Sequence, residues 1–382
     1  MKTIAFAFLL LVATFAGAQT VSPVEQSYGP YLRPSDSANV SLAASKNKIL
    51  LAWSEIDAAT GRARIRTGLL DLNGRLVSPI ETIPTAPTEY AVGPVVGNDG
   101  TSFVLLYTEL GPPARTLLAV IDAAGHLAGS PRLLNSSALG PPTNVHVFWN
   151  GSSYFGYVDG TPSIFRSDGT PVAASMPELD SLAGVTVANG TFATASWIRV
   201  PVWQPPPCHI FCSIIGWTRN LTWTSGSRGA TYAPKTQPQL TGEDLPVPPA
   251  IGTFGAETVI AWVNQGINYY VIDGTPRELA TSLDADPDQQ LGIACDAALC
   301  LVAYGTTSGD IYALALDVSR EDYPRVLAVS TSGRREWHPS VFHLGNGRFL
   351  VAYYSDLAGD MRFAGRIIGP EPSPPSRRRS AH

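Results

Sequence analysis

One phrase returns seven times along this chain: a short apolar run that ends in Trp or Tyr. The copies are LLAW ending at Trp53, VLLY at Tyr107, YFGY at Tyr157, ATASW at Trp197, VIAW at Trp262, LVAY at Tyr304 and LVAY at Tyr353. Successive aromatics lie 40 to 65 residues apart. Such repetition constrains the fold strongly, because one repeat cannot bury its own apolar faces and must stack on its neighbours. Turn residues that tolerate positive φ precede several of the runs: Asn98-Asp99-Gly100, Asn150-Gly151, Asn189-Gly190 and Gly345-Asn346-Gly347. A second turn follows in three copies, at Asn73-Gly74, Asp168-Gly169 and Asp273-Gly274. No stretch combines helix formers with a 3.6-residue period.

Four short antiparallel strands per copy, at a period of about 40 to 50 residues, define the blade of a β-propeller. The expected fold is therefore all-β: a single propeller of seven four-stranded blades. The seventh copy offers only three strand candidates, His338 to Leu344, Arg348 to Tyr354 and Met361 to Ile368. Near the N-terminus, Thr20-Val21-Ser22-Pro23-Val24-Glu25 matches Leu76-Val77-Ser78-Pro79-Ile80-Glu81, the fourth strand of the first copy. The N-terminal strand is thus expected to complete the last blade and close the ring, which also removes an exposed sheet edge.

The two ends differ in composition from the body. Lys2, the apolar run Ile4 to Phe15 and Ala16-Gly17-Ala18 have the layout of a signal peptide over 1–18, with a mature start at Gln19. From 370 to 382 the chain is Pro-rich, then basic, and without apolar residues to pack, so a disordered tail is expected after a propeller domain over 19–369. That apolar run is too short to span a bilayer, and no second run of membrane length follows. These features imply a secreted, periplasmic or cell-surface protein, and the net charge of −5 argues against nucleic acid as partner. In an oxidising compartment, Cys208 with Cys212 and Cys295 with Cys300 are expected to form two local disulfides, although four cysteines permit three pairings. Neither pair has the histidines or spacing of a zinc site.

The repeated Asn/Asp-Gly followed by an apolar strand such as Phe349-Leu350-Val351-Ala352-Tyr353 resembles the repeats of secreted bacterial β-propeller proteins. The resemblance covers nearly the whole mature chain and implies architecture rather than activity. Related propellers include sialidase-like hydrolases and integrin-like calcium binders. The sialidase-like Asp-box is not matched, since Ser167-Asp168-Gly169-Thr170 lacks its intervening residues. Asp284-Ala285-Asp286-Pro287-Asp288 has the alternating carboxylates of a calcium loop but Gln289 where the tight-turn glycine belongs, so an acidic loop is expected. No metal or cofactor is expected.

The seven aromatics occupy one register and are expected to be core between blades. Two residues further on the copies diverge, with Glu55, Glu109, Asp159, Arg199, Asn264, Thr306 and Ser355. These positions fall where the second strand leaves the sheet, and Trp337 and His338 enter the seventh copy at the same rim. Loops on a fixed scaffold are where repeat folds carry function. The fourth copy departs most: after Arg199 it runs PVWQPPPCHIFCSIIGW, placing Trp203, His209, Phe211 and Trp217 in a long loop that Cys208 and Cys212 could pin. No Gly-x-Ser-x-Gly, His-Glu-x-x-His or phosphate-binding glycine loop is present. The sequence thus points to an extracytoplasmic, non-enzymatic binding or scaffolding propeller that engages a protein or glycan on one face. The alternative is a glycan-cleaving, sialidase-like hydrolase in which Glu55, Glu109 and Asp159 converge at a central funnel.

Overall fold

The computed structural model describes residues 19–23, 25–27, 40–45, 47–57, 59–86, 90–137, 145–149, 151–158, 161–172, 184–188, 191–203, 214–227, 235–242, 249–254, 257–263, 267–272, 284–289, 291–317, 324–357 and 360–370. Every regular element among them is a β-strand. No helix among the described residues is long and apolar enough to cross a membrane.

Two short strands come first, β1 (Gln19–Val21) and β2 (Gln26–Ser27). Sheet one contains β3 (Val40–Ala44), β4 (Lys48–Asp57), β5 (Arg62–Asp71) and β6 (Glu81–Thr82). Sheet two contains β7 (Tyr90–Asn98), β8 (Phe103–Leu110), β9 (Ala114–Ile121) and β10 (Arg132–Ser137). Sheet three has β11 (Val145–Trp149), β12 (Tyr154–Val158) and β13 (Thr161–Phe165). Sheet four has β14 (Gly184–Ala188), β15 (Thr191–Trp203), β16 (Ile214–Ser227) and β17 (Lys235–Gly242). Sheet five has β18 (Ala250–Phe254), β19 (Glu257–Val263) and β20 (Ile267–Ile272). Sheet six has β21 (Gly292–Cys295), β22 (Cys300–Gly305), β23 (Ile311–Leu316) and β24 (Arg325–Ser330). Sheet seven has β25 (Glu336–Gly345), β26 (Arg348–Leu357) and β27 (Asp360–Pro370).

Each sheet is an antiparallel meander of consecutive strands, and sheet seven also includes β1 and β2, both paired with β27. Sheets three and five show three strands among the described residues; the expected fourth strands, and the turn at 273–274, lie outside those residues. The second strands are apolar without alternation because both of their faces are covered. Thus β22 is buried at every residue from Cys300 to Gly305. Leu42, Ile49, Leu51 and Trp53 of sheet one pack with Leu344, Leu350, Tyr354 and Phe363 of sheet seven, so the first sheet lies against the last. Similar clusters join sheets one and two, two and three, five and six, and six and seven.

Turn chemistry fixes how neighbouring sheets seat. Asp122 Oδ1 accepts hydrogen bonds from the N–H groups of Ala124 (2.8 Å) and His126 (2.9 Å), and Asp71 Oδ1 does the same for Asn73 and Arg75 (both 2.9 Å). These Asx turns need a left-handed residue, which Gly125 supplies at φ 90°. A side chain at Gly125 would meet Ser78 Oγ at 2.7 Å and Leu69 Cβ at 3.0 Å, so the turn of sheet two nests directly on sheet one. In sheet six, Cys295 and Cys300 face each other across the β21–β22 hairpin and form the expected disulfide. Cys208 and Cys212 lie outside the described residues.

The N-terminal segment pairs antiparallel with β27. Gln19, Thr20 and Val21 face Pro370, Gly369 and Ile368, while Gln26 and Ser27 face Gly365 and Ala364. A single strand over 20–25 was expected, but Pro23 has no N–H to give the ladder and the pairing divides around it. Ser22 N–H still donates to Ile367 O at 2.7 Å, and Arg366 Nη1 donates to the carbonyls of Ser22 (3.2 Å) and Pro23 (3.4 Å).

Candidate functional site

The repeated aromatics belong to the core. Trp53, Tyr107, Tyr157, Trp262, Tyr304 and Tyr353 are all buried. Trp197 sits in the same register of β15, but its side chain is outside the described atoms. Burial raises the phenol pKa of Tyr107, Tyr304 and Tyr353, so these rings stay neutral.

The positions two residues beyond the aromatics do not form a uniformly solvated rim. Glu55 is exposed and holds Arg66, whose Nε lies 3.3 Å from its Oε2. Glu109 is only 3% exposed; Arg115 Nη2 donates to Oε2 at 2.5 Å, and the Ala86 N–H donates to Oε1 at 3.0 Å. The loop at 84–86 folds over the end of β8 and buries what reads in sequence as a rim carboxylate; Tyr107 donates to Pro84 O at 3.0 Å in the same place. Thr306 and Ser355 are buried too. The two described carboxylates of the expected funnel, Glu55 and Glu109, are therefore each engaged by their own arginine. Asp159, the third, lies outside the described residues.

In sheet four the segment after Arg199 is not a loop at first. The β15–β16 ladder continues past Trp197 as far as Trp203, which faces Ile214, with Trp217 opposite Pro201 and Arg199 opposite Arg219. Pro201, between Val200 and Val202, concealed a strand that persists beyond the sheet. The side chains of Arg199, Trp203 and Trp217, and residues His209 and Phe211 altogether, are outside what is described.

The described rim residues that stand out lie where β25 begins. Its pairing with β26 slips between Trp337 and Ser340, and β7 slips against β8 in the same way between Val92 and Val95. Counting from the buried pairs Ala91–Glu109 and Glu336–Ser355, the bulged residues correspond: Gly93-Pro94 in sheet two and His338-Pro339 in sheet seven. Gly93 takes φ 61° at no steric cost, whereas His338 adopts φ 50° with a full side chain. His338 is exposed, its N–H donates to Gln289 Oε1 at 3.1 Å, and its ring meets Tyr354 edge-on at 6.2 Å. Partial desolvation lowers the imidazole pKa, with Asp286 opposing, so the ring is neutral at pH 7. Trp337 stacks on Tyr354 at 6.0 Å, and the Arg335 guanidinium lies 5.6 Å from its ring centroid. Trp337 thus packs partly as core while His338 faces outward. The acidic loop of sheet six completes this corner. Asp284 accepts from the Thr307 hydroxyl at 2.7 Å, and Asp286 accepts from the Asp288 N–H (3.0 Å) and from Gln289 Nε2 (2.9 Å). Asp286 folds its own loop, and Asp284 ties that loop to the β22–β23 turn.

A further acidic group escapes a reading of the sequence. Glu336 is fully buried, and its Oε1 accepts from the hydroxyls of Ser330 (2.8 Å) and Ser332 (2.9 Å). Burial raises its carboxyl pKa, with Glu25 and Asp310 adding to the rise. Glu25 comes from the N-terminal segment, and its Oε2 accepts from Tyr353 Oη at 2.9 Å. The one sequence signal available is the recurrence of Glu at the end of the matched segments 20–25 and 76–81.

No protein-family model matches the chain, and no curated protein is similar to it in sequence. Among solved structures, the β-propeller domain of the Trilobed protease from Pyrococcus furiosus, described as having an open velcro topology, aligns over 86% of this chain and 93% of that one. The TM-score is 0.51 and the identity 10%. Pyrococcus horikoshii acylaminoacyl peptidase aligns over 85% of this chain and 52% of that chain, with TM-score 0.50 and 10% identity. Trypanosoma rangeli sialidase aligns over 92% and 60%, with TM-score 0.45 and 9% identity, a likeness too slight to argue from. Together with the meandering sheets, the two Pyrococcus similarities show the fold: the chain is a β-propeller.

Proposed function

We propose that this chain is a seven-bladed propeller closed by its N-terminal strand, and that it works as an extracytoplasmic binding or scaffolding module. Closure is supported by the pairing of 19–21 and 26–27 with β27 and by the packing of sheet one on sheet seven. The binding rim is the one at which β25 begins and β15–β16 projects. The observation that carries this reading is His338: an exposed, neutral imidazole held in the left-handed region where the corresponding bulge of sheet two uses glycine. Backbone strain of that kind is costly and persists at sites where a side chain must be aimed. The projecting hairpin, with Trp203 and Trp217 on its strands, supplies the second contact region. A leader over 1–18 would deliver the protein to an oxidising compartment, which suits the Cys295–Cys300 disulfide.

The test is to screen residues 19–382 on an array of immobilised glycans and, in parallel, against fluorogenic glycosides. Retention of a glycan without turnover supports a binding module. Turnover of any glycoside would replace this reading with the hydrolase alternative.

A further inference from the structure

Two carboxyl groups meet where the N-terminal segment docks on sheet seven. Ser330 Oγ lies 2.8 Å from Glu336 Oε1 and 3.5 Å from Glu25 Oε2, so one hydroxyl, with one proton, sits between both acids. Glu25 is otherwise well served: Tyr353 Oη donates to it at 2.9 Å and Arg334 Nη1 approaches its Oε1 to 3.8 Å. Glu336 is not. It is 0% exposed, and its Oε2 has no hydrogen-bond partner among the described residues. A buried carboxylate with an unbonded oxygen, facing a second carboxylate, is an arrangement that a proton relieves.

We propose that the N-terminal segment is a proton-controlled latch: a proton on Glu336 lets Glu25 sit in the seat formed by Tyr353, Ser330 and Arg334, and loss of that proton loosens the strand pairing with β27. Among the described residues, the charged and titratable groups around Glu336 are few. Glu25 faces it from the N-terminal segment and Asp310 from the β22–β23 turn, and both are acidic. Arg334 and Arg335 precede it on its own run, where Arg334 turns to Glu25. From β26 come Tyr353, whose hydroxyl is bonded to Glu25, and Asp356, whose N–H donates to Arg335 O at 2.9 Å. Among the described residues, both hydrogen bonds to the Glu336 carboxyl come from neutral serine hydroxyls.

The direction follows from linkage. A carboxyl whose pKa is raised in the docked state lends stability that is full below the ordinary glutamate range and is lost as pH rises through the raised value. The latch therefore holds in acid and loosens toward neutral and alkaline pH. Asp57, Asp122 and Asp168, which hydrogen bonds from their turns hold below the usual carboxylate range, act in the opposite sense on global stability. The latch must accordingly be read as a local difference between proteins at the same pH.

This inference rests on closure by the N-terminal strand, and one experiment separates the two. Amide hydrogen exchange is followed by mass spectrometry on peptides covering 19–27 and 361–370, in the wild type, Glu336→Gln and Glu25→Gln, at about pH 5 and about pH 8. At the lower pH all three proteins should protect both peptides. At the higher pH the wild type should exchange faster than Glu336→Gln in these peptides alone, by roughly tenfold for each unit of pKa elevation. Glu25→Gln, which removes the facing charge, should reduce the wild-type effect and serves if Glu336→Gln does not fold. Equal protection at both pH values in all proteins would overturn proton control while leaving closure intact. Absence of protection in 19–27 at every pH would overturn closure itself. Protection at high pH that millimolar calcium restores in the wild type and not in Glu336→Gln would overturn the proton in favour of a cation.

Discussion

Replacing Gly125 with alanine isolates the contact that seats one sheet on the next. The residue has φ 90°, and the added Cβ would lie 2.7 Å from Ser78 Oγ and 3.0 Å from Leu69 Cβ. Gly100 is the control: its φ is 89°, but nothing among the described residues lies within 4 Å of the point a Cβ would occupy. Both substitutions incur the left-handed penalty of about 1–2 kcal/mol for a residue with a Cβ. Only Gly125→Ala adds overpacking, worth about 1–3 kcal/mol in a closely packed site. Ser78 cannot simply turn away, because it is buried and its Oγ accepts the Leu69 N–H at 3.2 Å. The expected losses are therefore about 1–2 kcal/mol for Gly100→Ala and about 2–5 kcal/mol for Gly125→Ala. At roughly 2 °C per kcal/mol for a chain of this size, the second midpoint should fall several degrees below the first in calorimetry. Ser78→Gly removes two of the three close atoms and should bring the two losses closer together. Equal losses for Gly100→Ala and Gly125→Ala would refute the nesting of the sheet-two turn on sheet one.

Other consequences follow from the same packing. Arg115→Met leaves Glu109 buried with, among the described residues, only the Ala86 N–H, and should destabilise by about 3 kcal/mol in denaturant melts; Glu109→Gln made together with it should recover much of that loss. Opening the Cys295–Cys300 bridge with Cys295→Ser and Cys300→Ser frees only a short hairpin loop, so the loss should be at most about 2 kcal/mol, with sheets one and two keeping their exchange protection. Trp203→Ala with Trp217→Ala should abolish capture of whatever glycan the array identifies while leaving the thermal midpoint nearly unchanged; a large drop in midpoint would mark the projecting hairpin as core.

The parts of the fold visible in the sequence are those carried by local chemistry. The apolar runs ending in Trp53 through Tyr353, the Asx-Gly turns and the likeness between 20–25 and 76–81 need only the neighbouring residues to be read. The site is less visible because it depends on register. Glu109 on β8 and Glu336 on β25 lie on opposite members of the same strand pairing, and only counting through the bulges at Gly93 and His338 reveals it. Glu109 reads as a rim carboxylate until the 84–86 loop covers it. Glu25 and Glu336 are far apart in sequence, and nothing local to either announces that they share Ser330. The continuation of β15 through Pro201 is hidden for a simpler reason: proline argues against a strand unless the strand is at an edge or beyond the sheet.

That the rim around His338 is built for binding is tested most directly by His338→Gly, measured for stability and for retention of the array-identified glycan. Relief of a left-handed non-glycine residue is worth about 1–3 kcal/mol, against about 0.5–1 kcal/mol for glycine's added freedom when unfolded. The variant should be more stable by about 1 kcal/mol and should bind at least about tenfold more weakly. A variant that is less stable, or that binds as well as the wild type, would show that His338 is held there for packing and would contradict a binding role for this rim.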